Sequence, residues 1–116
     1  MSRPVPPTTS NNTLQRVKAH SVASKIAAAY PARLFLLVGY NAKASAQYIQ
    51  LHNSATLPAD TAVPEYSFKV DAASNFSLDL SLYGDYFDTG IVVCNSSTQA
   101  TKTIGSADCT FTLLVL

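Results

Sequence analysis

Apolar and polar residues alternate along much of the chain with the period of two that is typical of half-buried β-strands. Three segments show this period: QYIQLHN (47–53), EYSFKV (65–70) and FSLDLSL (76–82). In the first segment, the alternation predicts that Ile49 and Leu51 face a core and that His52 lies on the opposite, polar face. In the last segment, the apolar row extends from Phe76 to Leu82.

Other segments are apolar without alternation, which is typical of strands that are covered on both faces. The clearest is LFLLVGYN (34–41), which we expect at the centre of a sheet. DTGIVVCNSS (88–97) and CTFTLLVL (109–116) predict further strands. Six to eight short strands separated by turn residues indicate an all-β protein. We therefore predict a single antiparallel β-sandwich of the jelly-roll or immunoglobulin-like kind.

The N-terminal part of the chain is less regular. Val22, Ile26 and Tyr30 fit the apolar stripe of a helix, but VASKIA (22–27) fits a strand equally well, and we favour strands over residues 14–30. Tyr30-Pro31-Ala32-Arg33 is then a turn, because proline disrupts helix interiors and central strands. Residues 1–13 hold three of the six prolines together with Ser, Thr and Asn. This composition predicts a flexible arm in front of a domain over residues 14–116.

Charge is scarce and unevenly distributed. Charged residues make up 13% of the 116 residues, against roughly 25% in typical soluble proteins, which favours a surface that contacts other proteins. Residues 1–59 carry basic side chains and no acid, whereas all seven acids follow from Asp60 onward. The cations are too scattered to predict nucleic-acid binding. No apolar run is long enough for a signal peptide core or a membrane span, so we expect cytoplasmic synthesis and no membrane partner.

Candidate catalytic and metal-binding groups are few. The chain has two histidines, one glutamate and no G-x-S-x-G sequence, so we predict no enzyme activity and no cofactor. Asp85 and Asp88 are too few for calcium, which takes about six to eight oxygen ligands. Cys94 and Cys109 alone cannot complete a zinc site. In a reducing compartment we expect them as thiols, although they could lie on neighbouring strands.

Exposed tyrosines are used both by carbohydrate-binding modules and by protein interfaces. With six tyrosines and no tryptophan, the composition favours an interface, where tyrosine packs its ring and hydrogen-bonds its hydroxyl. A carbohydrate-binding module stays the alternative from another class. The predicted interface residues are Arg3, Arg16, Lys18, Tyr30, Tyr48, His52, Tyr83 and Tyr86.

The order of segments from about residue 32 resembles a group of small virion proteins of tailed bacteriophages, the capsid decoration and related accessory proteins built as β-sandwiches. The segments that carry the resemblance are ARLFLLVGYN (32–41), ASAQYIQLHNSATLPAD (44–60), VPEYSFKV (63–70) and YFDTGIVVCNSST (86–98). They cover about three-quarters of the chain. None of them contains a catalytic or ligand-binding motif, so they indicate the fold more specifically than the function.

This resemblance implies a structural virion protein that decorates or cements a capsid by binding the major capsid protein. It implies a homo-oligomer, a trimer at symmetry axes of the shell, assembled in the host cytoplasm. A tail, baseplate or head-tail accessory protein would have the same scaffold and stays an alternative.

Overall fold

The fold is built entirely from β-strands in the part of the chain that the computed structural model describes, residues 13–80 and 82–116. The strands are β1 (Gln15–Val22), β2 (Ser24–Ala28), β3 (Ala32–Asn41), β4 (Gln47–His52), β5 (Tyr66–Val70), β6 (Ser74–Asp79), β7 (Asp85–Phe87), β8 (Ile91–Ser96) and β9 (Cys109–Val115). The predicted all-β class is confirmed, and residues 14–30 form strands as predicted. No helix capable of spanning a membrane occurs in the described ranges. The predicted arm, Thr13 apart, lies outside them.

The strands form two antiparallel sheets. Sheet A has the order β1-β9-β3-β6, with β7 also paired to β3, and sheet B has the order β2-β8-β4-β5. Four of the pairs, β1 with β9, β2 with β8, β3 with β6 and β4 with β5, are those of one long hairpin rolled up on itself. This is the arrangement of a jelly roll. An immunoglobulin-like sandwich would instead pair its first strand with its second.

The core lies between the two sheets and is centred on β3 and β9. Leu34 and Leu37 of β3 are fully buried, and β9 alternates buried Phe111 and Leu113 with half-buried residues. β3 pairs with β9 on one side and with β6 and β7 on the other, which confirms its predicted central position. The backbone approaches closely at Gly39, where an added Cβ would lie 2.1 Å from the carbonyl oxygen of Thr110.

One sequence prediction fails near the end of β6. The strand ends at Asp79, and Leu82, which was expected in the apolar row, is 86% exposed. The segment after it contains the short strand β7, which was not predicted, and whose register against β3 lets Phe87 pack into the core. Cys94 and Cys109 do not lie on neighbouring strands, an arrangement that the sequence had left open. Both are free and buried, but β8 belongs to sheet B and β9 to sheet A.

Candidate interaction surfaces

Two residues of the predicted interface set, Tyr83 and Tyr86, lie close to the exposed Leu82, on the connection from β6 to β7 and on β7 itself. Leu82, Tyr83 and Tyr86 are 86%, 81% and 53% exposed. Gly84 shapes this connection, since its φ is +65° and an added Cβ would lie 2.8 Å from the carbonyl oxygen of Leu34. The turn can therefore lie close against β3, with its tyrosines facing outward.

Arg33, which is not among the predicted interface residues, connects the two tyrosines. It is the cross-strand partner of Tyr86 in the β3–β7 pair, and its guanidinium carbon lies 5.5 Å from the centre of that ring, within cation–π range. Its Nη1 donates a hydrogen bond of 3.3 Å to the carbonyl oxygen of Tyr83. We call Arg33, Leu82, Tyr83 and Tyr86 the tyrosine patch. Its tyrosines and its arginine are of the types that dominate binding energy in protein interfaces.

The strand beneath the tyrosine patch is tied to the opposite sheet. The Tyr66 hydroxyl of β5 donates a short hydrogen bond to the Asp85 carboxylate of β7. This bond, burial and the nearby carboxylates raise the pKa of Tyr66 to about 12. The Tyr66 ring also contacts Phe87 at 6.4 Å between ring centres. β7 is thus hydrogen-bonded to both sheets, and these contacts fix the position of the backbone that carries the tyrosine patch.

Two further predicted residues, Arg16 and Lys18, are exposed on the edge strand β1. Together with His20 they form a row on the face of sheet A that points away from sheet B. A concavity of about 370 Å³ lies against this row and is lined by Lys18, Ala19, His20, Thr110 and Thr112. The Nδ1 atom of His20 lies 2.9 Å from the Thr110 hydroxyl. Among the residues that the structure describes, no acidic side chain lines this concavity.

The other predicted residues are dispersed. Tyr30 is exposed in the turn between β2 and β3, and Tyr48 is half-buried on β4 opposite Ser96. Neither shares a ring contact with the tyrosine patch in the ranges that the structure describes. Arg3 lies outside those ranges.

His52 corrects a prediction, because its side chain is only 3% exposed. The outer face of β4 is closed by residues 97–101. The Gln50 amide nitrogen lies 2.9–3.2 Å from the carbonyl oxygens of Thr98, Gln99 and Thr101. His52 Nε2 lies 3.0 Å from Gln50 Oε1. His52 therefore cannot contact a partner while this cover is closed.

Lys102 joins the cover over β4 to a second loop. It is 6% exposed, and its ammonium donates to the carbonyl oxygen of Pro58 at 2.7 Å and lies 3.4 Å from the Asp60 carboxylate. The Lys102 backbone carbonyl also accepts a hydrogen bond from the Thr61 N–H, and the Lys102 N–H donates one to the Ala62 carbonyl. We call residues 57–62 and 97–104 the polar cover. Burial, and then the Lys102 charge, lower the pKa of His52, so the enclosed imidazole is held neutral.

The two acids considered for a metal have separate partners. Asp85 is bonded to Tyr66, whereas Asp88 accepts a hydrogen bond from the Asn53 amide at 2.8 Å. Hydrogen bonds from Asn53 and Thr89 lower the pKa of Asp88. No group of three or more His, Cys, Asp or Glu side chains in the described ranges could hold a metal ion.

Comparisons with known proteins add a distant likeness. No protein-family model matches the chain, and no curated protein matches it. Among solved structures, the coat protein of tobacco streak virus is similar, with a TM-score of 0.40 and 12% identity over 94% of this chain and 90% of that chain. At this identity and TM-score the likeness carries no argument for function, which depends on the surfaces of the chain itself.

Proposed function

We propose that this chain is a structural virion protein that decorates or cements a bacteriophage capsid by binding the major capsid protein shell through the tyrosine patch. The observation that carries the proposal is the exposure of Leu82, Tyr83 and Tyr86 around Arg33, next to or on strand β7, which is hydrogen-bonded to both sheets. A pre-organised aromatic anchor loses little conformational entropy on binding, so more of its contact energy appears as affinity. Tyrosine and arginine are the side chains that most often dominate such contacts.

The architecture supports this proposal by analogy. Jelly rolls are common in viral capsid proteins, although lectins and cupins also use them, so the fold alone does not determine the task. On a shell, many copies of one modest contact gain strength through multivalency. A protein that binds only the assembled shell also stabilises that shell by mass action. The homotrimer and the partner-wrapping arm, residues 1–13, belong to the same proposal and follow from the bacteriophage resemblance.

The experiment mixes the purified protein with heads that lack decoration, and measures co-sedimentation and the resistance of the heads to heat. We expect saturable binding and a higher disruption temperature. Replacing the two tyrosines, Tyr83→Ala with Tyr86→Ala, should weaken binding about thirtyfold or more, because each anchor residue contributes roughly 1–2 kcal/mol. Val63→Ala is the matched control, since Val63 is 74% exposed but lies outside the patch.

Several outcomes would contradict the proposal. Absence of binding to heads would exclude capsid decoration, and binding to isolated tails instead would favour the tail or baseplate alternative. A tyrosine fluorescence change on adding glycans, lost in the double variant, would favour the carbohydrate-binding alternative. Binding to heads that the double variant retains in full would show that another surface makes the contact.

A further inference from the structure

The concavity between β1 and β9 has the size and the side chains of a small-molecule site. β1 contributes Lys18 and His20, and β9 contributes the hydroxyl groups of Thr110 and Thr112. Lys18 is the cross-strand partner of Thr112, and His20 Nδ1 lies 2.9 Å from the Thr110 hydroxyl. The volume of about 370 Å³ lies within the range of small-molecule sites, roughly 300–1,000 Å³.

The positive charge of this concavity is not neutralised by the described part of the chain. The ion pair found there belongs to the polar cover, and neither Lys18 nor Arg16 takes part in it. Arg16 lies two residues before Lys18 on the same face of β1. The acid that precedes β9, Asp108, is hydrogen-bonded to the Ser106 hydroxyl. Two unpaired cations beside a concavity without a lining acid make the local potential positive, so the concavity attracts anions.

The other groups of the concavity fit a ligand that carries hydroxyl groups as well as charge. A threonine hydroxyl both donates and accepts hydrogen bonds, as the hydroxyl groups of a sugar do. His20 Nδ1 is engaged with Thr110, so Nε2 is the ring nitrogen that can meet a ligand. Tyr40 is the cross-strand partner of Thr110 and is 39% exposed, so an aromatic ring lies beside the concavity. Such a ring offers an apolar surface to the C–H groups of a sugar.

We infer that this concavity binds an acidic sugar, a single ring that carries a carboxylate, sulfate or phosphate group. Lys18 pairs with the anionic group, and the side chains of Thr110, Thr112 and His20 hydrogen-bond the ring hydroxyls. Nucleic acid is the less favoured source of the anion, because two cations neutralise too few phosphates for tight binding. The inference goes beyond the proposed function, because it concerns a small ligand and not the capsid shell.

The concavity and the tyrosine patch share the outer face of sheet A but lie toward opposite ends of β3. Arg33 is near the start of that strand and Tyr40 near its end, which separates them by about 23 Å along the strand. They also lie toward different edges, because β7 pairs with one side of β3 and β9 with the other. A single sugar ring in the concavity therefore does not reach the tyrosine patch.

An NMR titration that follows the backbone amide signals of the full chain tests the site. The probes are glucuronate, a sulfated glucose and a phosphorylated glucose. We expect at least one of them to shift the signals of residues 18–20 and 110–112. Neutral glucose tests the ring without the charge, and acetate, sulfate and phosphate ions test the charge without the ring. Each of these controls should bind about tenfold more weakly or less, because it lacks one half of the contacts.

Single variants connect the binding to the concavity. Lys18→Met should weaken it about tenfold or more, because a charge-assisted hydrogen bond is lost. Thr112→Val keeps the shape of the side chain without its hydroxyl and should weaken binding about threefold or more. Lys69→Met is the matched control, since it removes the same charge at an exposed position of sheet B and should leave binding unchanged. Circular dichroism verifies that each variant is folded.

Several results would overturn the inference. No shift with any of the three acidic sugars, or a folded Lys18→Met variant that binds like the wild type, would exclude the site. Free anions that bind as tightly as the sugars would leave an ion site only. Shifts confined to residues 82–87 would place the sugar at the tyrosine patch. Tighter binding of a short thymidine oligonucleotide at residues 18–20 and 110–112 would assign the concavity to nucleic acid.

Discussion

The Gln50 side chain offers the sharpest test of how the polar cover is held. Gln50→Leu preserves much of the side-chain volume but removes the amide. The amide nitrogen has two hydrogens, so it satisfies at most two of its nearby acceptors at once, which include the carbonyl oxygens of Thr98, Gln99 and Thr101. His52 also loses its partner, Gln50 Oε1. Each buried group left without a partner costs about 1–3 kcal/mol.

Three such losses, two carbonyl groups and His52, would cost about 3–9 kcal/mol if the cover stayed closed and dry. Residues 97–100 are exposed, so their carbonyl groups can turn toward water and recover part of the loss. We therefore expect Gln50→Leu to reduce the free energy of unfolding by about 2–4 kcal/mol, at the upper end of ordinary single substitutions.

Urea unfolding would measure this loss, and amide hydrogen exchange would locate it. Protection should fall first at residues 97–104. Gln99→Leu is the matched control, because the same change at an exposed side chain should alter stability by less than about 0.5 kcal/mol. Equal stability and equal loop protection in the two variants would refute the role assigned to Gln50.

Three further predictions concern buried groups. The pKa of His52 in the folded protein lies below its unfolded value of 6.5, so the free energy of unfolding should fall as the pH drops below 6.5. In urea unfolding, His52→Gln should reduce this pH dependence, whereas the control His20→Gln should keep it. Burial raises the pKa of Cys94 to about 12, so its thiol should react with iodoacetamide only after unfolding, and rapid labelling of native protein would contradict this. Gly39→Ala should cost about 3 kcal/mol or more in urea unfolding, because the new methyl would meet the Thr110 backbone; near-wild-type stability would exclude that clash.

The strands could be predicted from the sequence because their signal is local. Alternation places Phe76 correctly in the core, and the unbroken apolar run of residues 34–41 identifies the central strand. Local patterns leave residues 14–30 ambiguous between a helix and strands, and the pairing of β1 with β9 and of β2 with β8 decides for strands. The alternation wrongly places Leu82 in the apolar row, because nothing in the sequence marks the point where β6 leaves the sheet.

The burial of His52 could not be predicted, because it depends on a loop far away in the chain. Residues 97–101 are rich in Ser and Thr and would ordinarily be read as solvated loop. They close over β4 because their carbonyl groups meet Gln50 and because Lys102 reaches the other loop. Arg33 was missed for a similar reason, since its contact with Tyr86 depends on the register between β3 and β7.

The rolled-hairpin pairing also determines how the chain must be made. β3 cannot acquire its neighbour β9 until about 70 further residues have been synthesised, and β1 waits longer still. Contacts this distant in sequence slow folding to roughly the millisecond-to-second range. During translation, the apolar side chains of β3 are therefore displayed without their final partner. Soluble yield should depend on how well the growing chain is shielded until β9 inserts between β1 and β3.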